Sequence, residues 1–304
     1  MTLFDPERGR VIVPAPGDGR GAWAGAPGVW REGDDLFVAY RVRLPPPARG
    51  YELRIAAIQN DEARDLWRVG KDELAAESIE RAALVRDGRD WRLYLSYVDA
   101  RDRQWRIGLL ESRDVDSFDA RQIRAVLHPA GVGMAAVKDP WMRYVEGRWL
   151  MFVSCGRAAD ADGLHATGDA LSTGLVRSES GLATSVDGAA WQWEGIVFSP
   201  SAGGWDRSTA RLTTAVRDGD GWIGFYDGAG SLVENYEERC GSARSPDLRT
   251  WTRESVAGPA VGTRRGAGGV RYLDVTAAGD AVYEYTRGDG AHELRLVQGW
   301  GTGR

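Results

Sequence analysis

The chain has 304 residues, 43% of them hydrophobic and 27% charged, and its 39 lysines and arginines against 44 aspartates and glutamates give a net charge of −5. That composition excludes a disordered or fibrous chain. It also leaves no clustered basic face for nucleic acid, and no run approaches the roughly 18 apolar residues of a membrane span.

Forty glycines and 13 tryptophans suit many short strands joined by tight turns. In chain order, the first unit has an apolar run at 28–30, a turn at Gly33 and an aromatic run at 36–40. The second has 82–85, Gly88 and 91–97. The third has 141–145, Gly147 and 149–153. The fourth has 212–216, Gly221 and 222–226, and the fifth has 270–275, Gly279 and 281–285. A Ser-x-Asp-x-x-x-aromatic motif follows three of the aromatic runs, at 112–118, 185–191 and 245–251. A looser relative runs from Asn60 to Trp67.

Each unit therefore reads strand, turn, strand, loop, strand, Ser-x-Asp turn, strand. Glycine supplies the positive φ of hairpin turns, and aromatic and β-branched residues fit pleated surfaces. A four-stranded unit recurring about every 60 residues is the arithmetic of a propeller. The expectation is an all-β, five-bladed β-propeller with four-stranded antiparallel blades around a central funnel, as one domain over 1–304. An all-β sandwich is the competing fold, but it requires no repeat of this length. The Ser-x-Asp motif reads as local turn chemistry with an aromatic packed between blades. A catalytic group is normally needed once, not in several blades.

Alternating strand direction puts the tight turns on one face of the disc and the long connections on the other. The long-connection face is where function is expected. Its longest loop, 156–180, holds Asp160, Asp162, His165 and Asp169, and the 227–236 loop holds Asp227 and Glu234. Arg41, Arg43, Asp99, Glu284 and Arg287 fall on the same face, and Lys138, Asp139, Arg211 and Arg271 lie near the hub. Arg41 and Arg43 suit a phosphate, a carboxylate or a sugar hydroxyl, with a surface ion pair as the alternative. Arg211 suits substrate or a buried acid of a neighbouring blade. Trp30 and Trp141 suit stacking on a sugar ring or packing between blades.

Cys155 and Cys240 read as reduced core thiols, not a disulfide framework. His128, His165 and His292 have no metal spacing. Residues 1–13 show no apolar segment of a secretory signal, so a cytoplasmic protein is expected. No cofactor is expected, although a structural calcium stays open. The expected partner is a small molecule, sugar or sugar-derived, with no nucleic acid and no membrane. The oligomeric state is not indicated.

Lys138-Asp-Pro-Trp-Met142, followed by Glu146-Gly-Arg-Trp-Leu-Met-Phe152, resembles the third blade of the five-bladed glycoside hydrolases. That group includes families 43, 32, 68 and 130. Residues 28–43 resemble the first blade of family 130, and 213–228 resemble one of its later segments. The resemblance implies three carboxylates on inner strands: a base or nucleophile, a general acid, and a pKa modulator or stabiliser. An oxocarbenium-like transition state needs nearby negative charge and a proton for the leaving oxygen. Asp139 matches the modulator. The first inner strand begins Ala26-Pro-Gly-Val-Trp30 without a carboxylate, and the fourth begins Arg207-Ser-Thr-Ala-Arg211 without a glutamate, Asp206 being out of register. Asp227 and Glu234 are the candidate replacements for the acid. Arg41, Arg43, Lys138, Trp30, Trp141 and Arg211 are the candidate substrate-binding residues.

The resulting expectation is a carbohydrate-active enzyme, hydrolase or phosphorylase, on a glycoside or sugar-derived substrate. Phosphorolysis needs fewer protein carboxylates, because phosphate is the nucleophile. Two alternatives stand beside it. One is a propeller repurposed for a cyclase- or lyase-type step on a small metabolite, and the other is a non-catalytic carbohydrate-binding propeller.

Overall fold

The computed structural model describes residues 4–157, 162–164, 169–263 and 269–300. Strand β1 is Arg10–Val13. A first group follows, with β2 (Trp23–Glu32), β3 (Asp35–Leu44), β4 (Arg49–Gln59) and β5 (Glu62–Gly70). The second is β6 (Ala76–Asp87), β7 (Asp90–Asp99), β8 (Trp105–Ser112) and β9 (Arg124–Leu127). The third is β10 (Met134–Val145), β11 (Arg148–Arg157), β12 (Glu179–Ser185) and β13 (Gln192–Phe198). The fourth is β14 (Thr209–Asp218), β15 (Gly221–Ala229), β16 (Arg239–Ser245) and β17 (Thr252–Arg253). The last is β18 (Val270–Val275), β19 (Ala281–Thr286) and β20 (His292–Val297), with β1 as its outer strand.

Within each group, neighbouring strands pair antiparallel. One parallel contact, Trp23 opposite His292, links the last group to the first. The fold is therefore all-β and propeller-like. No α-helix occurs among the described residues, and no helix there is long and apolar enough to cross a membrane. Central strands such as β12 are buried along their whole length, because a blade packs against a neighbour on each face.

The hairpin turns carry the expected left-handed glycines at Gly33, Gly88, Gly147 and Gly279. In the fourth group that role belongs to Gly219 (φ 60°), not Gly221. Gly221 instead opens β15, paired with Asp218.

The recurrent motif is turn chemistry plus an inter-blade anchor. Asp187 Oδ1 accepts from the Ala189 and Ala190 N–H groups at 2.8 and 2.9 Å, and Asp247 Oδ1 accepts from Arg249 and Thr250 at 2.9 and 2.7 Å. Each motif aromatic then leans on the preceding group. Phe118 packs edge-on to Trp67, Trp191 to Tyr94, and Trp251 to Phe152, with centroids 5.5, 5.9 and 5.9 Å apart. One local sequence thus both ends a hairpin and fastens two blades.

The ring closes through the chain ends. Arg10, Val11 and Val13 pair with Leu296, Arg295 and Leu294. Ile12 and Val13 are buried in a cluster with Val282, Leu294 and Leu296. The Tyr283 hydroxyl donates to Pro6 O at 2.7 Å, beside Gly9, whose missing side chain leaves it room.

Two variants test these fastenings by urea unfolding. Phe118→Ala should cost about 3 kcal/mol and Ile12→Ala about 2 kcal/mol, as buried truncations do. A loss under about 0.5 kcal/mol for both would contradict the packing just described.

Candidate functional site

All five inner strands carry an irregularity at mid-length. Their registers shift between Gly25 and Gly28, Ile79 and Ala82, Lys138 and Trp141, Leu212 and Thr214, and Arg271 and Asp274. In three of them a non-glycine residue is left-handed there: Ala26 (φ 52°), Asp139 (φ 57°) and Tyr272 (φ 49°). Such backbone costs on the order of 1–3 kcal/mol per residue and re-aims side chains. Ala26-Pro27 and Asp139-Pro140 occupy matching places in the first and third groups.

The hub side chains form a chain of alternating charge. Glu80 pairs with Arg41 at 2.7 Å, and Arg41 pairs with Glu284 at 3.3 Å. Arg271 reaches Glu284 at 3.0 Å and Glu238 at 2.6 Å. Glu238 also pairs with Arg211, which lies 3.7 Å from Asp227. All these groups are buried. Burial works against charge on Glu284, yet Arg41 and Arg271 outweigh it and hold its pKa well below the usual range. Burial likewise opposes Glu238, and Arg271 and Arg211 override it. The Ala26 N–H donates to Glu284 Oε2 at 2.8 Å, and the carboxylate fills the space a side chain at Gly25 would need. A carboxylate from β19 therefore sits where the first inner strand has none.

Asp227 differs from its neighbours. Its Oδ1 accepts from the Tyr272 N–H at 3.0 Å, while Oδ2 has no hydrogen bond among the described residues. Burial pushes its pKa up to about 7; Arg211 opposes that rise and Glu238 adds to it. Asp139 lies on the other side of Tyr272. Its Oδ2 accepts from the Tyr272 hydroxyl at 3.4 Å, and its N–H donates to Ser96 Oγ at 2.7 Å. Asp139 Oδ1 has no hydrogen-bond partner among the described residues. Lys138 stands 4.0 Å from Asp139 and 3.6 Å from Asp169.

The cations, not these two carboxyls, face the opening. A small cavity of about 20 Å³ is lined by Arg43, Lys138, Arg211 and Arg271, with Glu80 and Tyr272 among the other walls. That is room for about one water. Arg43 also lies over Trp23 and Tyr236, with its guanidinium carbon 5.0 and 5.3 Å from the ring centroids.

The structure brings Arg41, Arg43, Lys138, Asp139, Arg211 and Asp227 together. Asp227 lies inside β15 opposite Arg211, because that strand continues to Ala229, so it is a strand residue and not a loop residue. Glu234 lies apart, on the surface, where it accepts from Gly230 N and pairs with Arg239 at 2.6 Å. Trp30 and Trp141 lie at the opposite, tight-turn face, and Trp141 Nε1–H donates to Asp274 at 3.1 Å. Asp160 and His165 fall outside the described residues. Glu80, Glu238 and His292 are hub residues that the motifs did not single out. The one local signal was a glycine in a strand, Gly25, which marks a close approach. Among the described residues, no three His, Cys, Asp or Glu side chains are grouped to hold a metal ion.

The Asp227 carboxyl gives a pH signature. Unfolded, it titrates near 3.9, so between about pH 4 and 7 the native state holds a proton that the unfolded state has released. Its cost to stability is absent below pH 4 and grows until about pH 7. Asp227→Asn removes that cost. The melting temperature of the variant relative to wild type should therefore rise by several degrees between pH 5 and pH 8. A difference that stays flat with pH would show the carboxylate to be ionised throughout.

The sequence matches no family model and no curated protein. Solved structures do match. A complex of BT0996 with RGII superposes with a TM-score of 0.69 at 16% identity, covering 97% of this chain and 92% of that protein. A thermostable family-43 glycoside hydrolase gives 0.62 at 12% identity, over 90% and 89%. A structure from the family 130 mannoside phosphorylases, a family containing hydrolases of β-1,2 mannosidic linkages in Candida mannan, gives 0.63 at 13% identity, over 97% and 93%. The chain has the propeller fold that these glycoside hydrolases and phosphorylases share.

Proposed function

We propose that the chain is a carbohydrate-active enzyme, a glycoside phosphorylase or hydrolase, built as a one-domain, five-bladed propeller. The substrate is a glycoside or sugar-derived molecule entering at the cationic opening. The observation that carries this reading is the Asp139–Tyr272–Asp227 arrangement, two carboxyls in unlike environments joined through one residue. A carboxyl whose surroundings raise its pKa is how a site keeps a proton donor near neutral pH, and Asp227 is that carboxyl here.

In this reading Asp227, protonated near neutral pH, supplies the proton to the leaving oxygen. Asp139 stabilises the positive charge that develops on the sugar. Neither lines the cavity, and Tyr272 bonds to both, so its side chain must turn aside when substrate enters. Arg43, Lys138, Arg211 and Arg271 then present guanidinium and ammonium donors to an anion, which favours phosphate as the nucleophile over water. Phosphate also makes a first-strand carboxylate unnecessary, in keeping with Ala26. The buried, unpaired Cys155 and Cys240 fit a cytoplasmic protein.

The alternative of a repurposed cyclase- or lyase-type step draws on a different observation. The carboxylate that approaches Ala26, Glu284, is held by two arginines and contacts His292, which leaves it no freedom to act as a base.

Turnover of an aryl-glycoside and disaccharide panel, with and without phosphate, separates these readings. Phosphate-dependent turnover is expected, falling at least about 100-fold in Asp139→Asn and in Asp227→Asn. Turnover without phosphate selects hydrolysis. No turnover by folded wild-type protein on any panel member overturns the glycoside reading.

A further inference from the structure

The larger cavity at the hub is not the cationic opening. It lies at the other end of the inner strands, and its volume is about 660 Å³. The second halves of β2, β6 and β10 and the end of β18 form its walls. That size suits a small-molecule site, and such sites pair apolar walls with a few placed polar groups.

Its aromatic walls include Trp30, Trp141, Trp149 and Tyr144. The Trp30 indole N–H donates to Glu32 at 3.1 Å and that of Trp141 to Asp274 at 3.1 Å. Their polar atoms are thus satisfied. Trp141 and Trp149 are packed into the core, so Trp30 and Tyr144 are the rings with surface open to the cavity. Tyr144 is 56% exposed and stands edge-on to Trp149 at 5.1 Å.

The charged lining residues are nearly all matched. Arg31 pairs with Asp280 at 2.6 Å, Arg86 with Glu32 at 3.1 Å, and Asp87 with Arg92 at 2.8 Å. Asp274 is held by Arg81 at 3.2 Å and by the Val29 N–H at 3.0 Å. Arg143 is the exception: no carboxylate lies within ion-pair distance of it among the described residues. Burial lowers its pKa, and the attraction of Asp274, which lies beyond ion-pair distance, only partly opposes that. Its guanidinium carbon lies 5.9 Å from the centroid of the Trp222 ring. A half-buried cation in an aromatic-walled cavity is matched by a ligand that supplies the missing anion and a flat apolar body.

We propose that this cavity is a second binding site, on the face away from the cationic opening, for a planar ring compound bearing a carboxylate. Arg143 holds the carboxylate and the aromatic walls hold the ring. The site does not depend on the sugar-enzyme reading, since it shares no residue with the opening.

Calorimetric titration of the full chain with 2-naphthoate tests it, with uncharged 2-naphthalenemethanol as the matched probe. Saturable naphthoate binding is expected, weakened about tenfold or more in Arg143→Met, as loss of a charge-assisted contact implies. Naphthalenemethanol should bind wild type more weakly than naphthoate and be indifferent to Arg143→Met, which also shows that variant to be folded. Arg43→Met, at the other face, should leave naphthoate binding unchanged. No saturable naphthoate binding, equal binding in Arg143→Met, or loss in Arg43→Met would each overturn the proposal.

Discussion

The hub is organised by one buried guanidinium, Arg271, held between the carboxylates of Glu238 and Glu284 at 2.6 and 3.0 Å. Glu238 extends the contact to Arg211, and Glu284 extends it to Arg41 and then Glu80. Charges this deep cost several kcal/mol each to desolvate unless each finds a partner. The alternation of sign along the belt meets that requirement. It also ties β3, β6, β14, β18 and β19 together at the centre. Removing a member would leave its neighbours buried and unmatched, so the belt constrains which residues can stand beside it.

That constraint explains the unusual member. Arg211 meets Glu238 closely, whereas Asp227 is 3.7 Å from it. Arg211 is therefore committed to Glu238, and Asp227 is left with one backbone donor and strong desolvation. Burial therefore outweighs Arg211 and pushes the Asp227 carboxyl up to about 7. The left-handed residues at mid-strand act in the same place. Tyr272 turns so that its N–H meets Asp227 while its hydroxyl meets Asp139. Backbone strain and buried charge together create the asymmetry on which acid–base chemistry would draw.

Much of the fold was legible because its signals are local. Gly33, Gly88 and Gly147 mark hairpins by their own φ, and Asp187 and Asp247 build turns from their immediate neighbours. Phe118, Trp191 and Trp251 recur at one spacing because each performs the same inter-blade task. Gly221 misleads because two glycines flank that turn and only Gly219 takes the left-handed conformation. The site was less legible because its partners are distant in sequence. Asp139 stands out through its Asp-Pro and flanking pattern. Glu80 and Glu238 read as ordinary charges beside strands, and nothing nearby announces that Arg41 and Arg271 await them. Asp227 reads as a loop residue because the glycines after it resemble a loop start, whereas its pairing with Arg211 carries the strand further. Trp30 and Trp141 do flank hub strands, but which end of a strand meets which opening is a property of the assembled ring.

A coupled charge belt, and not independent surface-like ion pairs, organises the hub. A double-mutant cycle on Arg271→Met and Glu238→Gln, read by urea unfolding, measures it directly. Arg271→Met alone should cost about 3–5 kcal/mol, and the two changes together should cost at least about 2 kcal/mol less than their sum. Additive effects, or an Arg271→Met variant as stable as wild type, would contradict it.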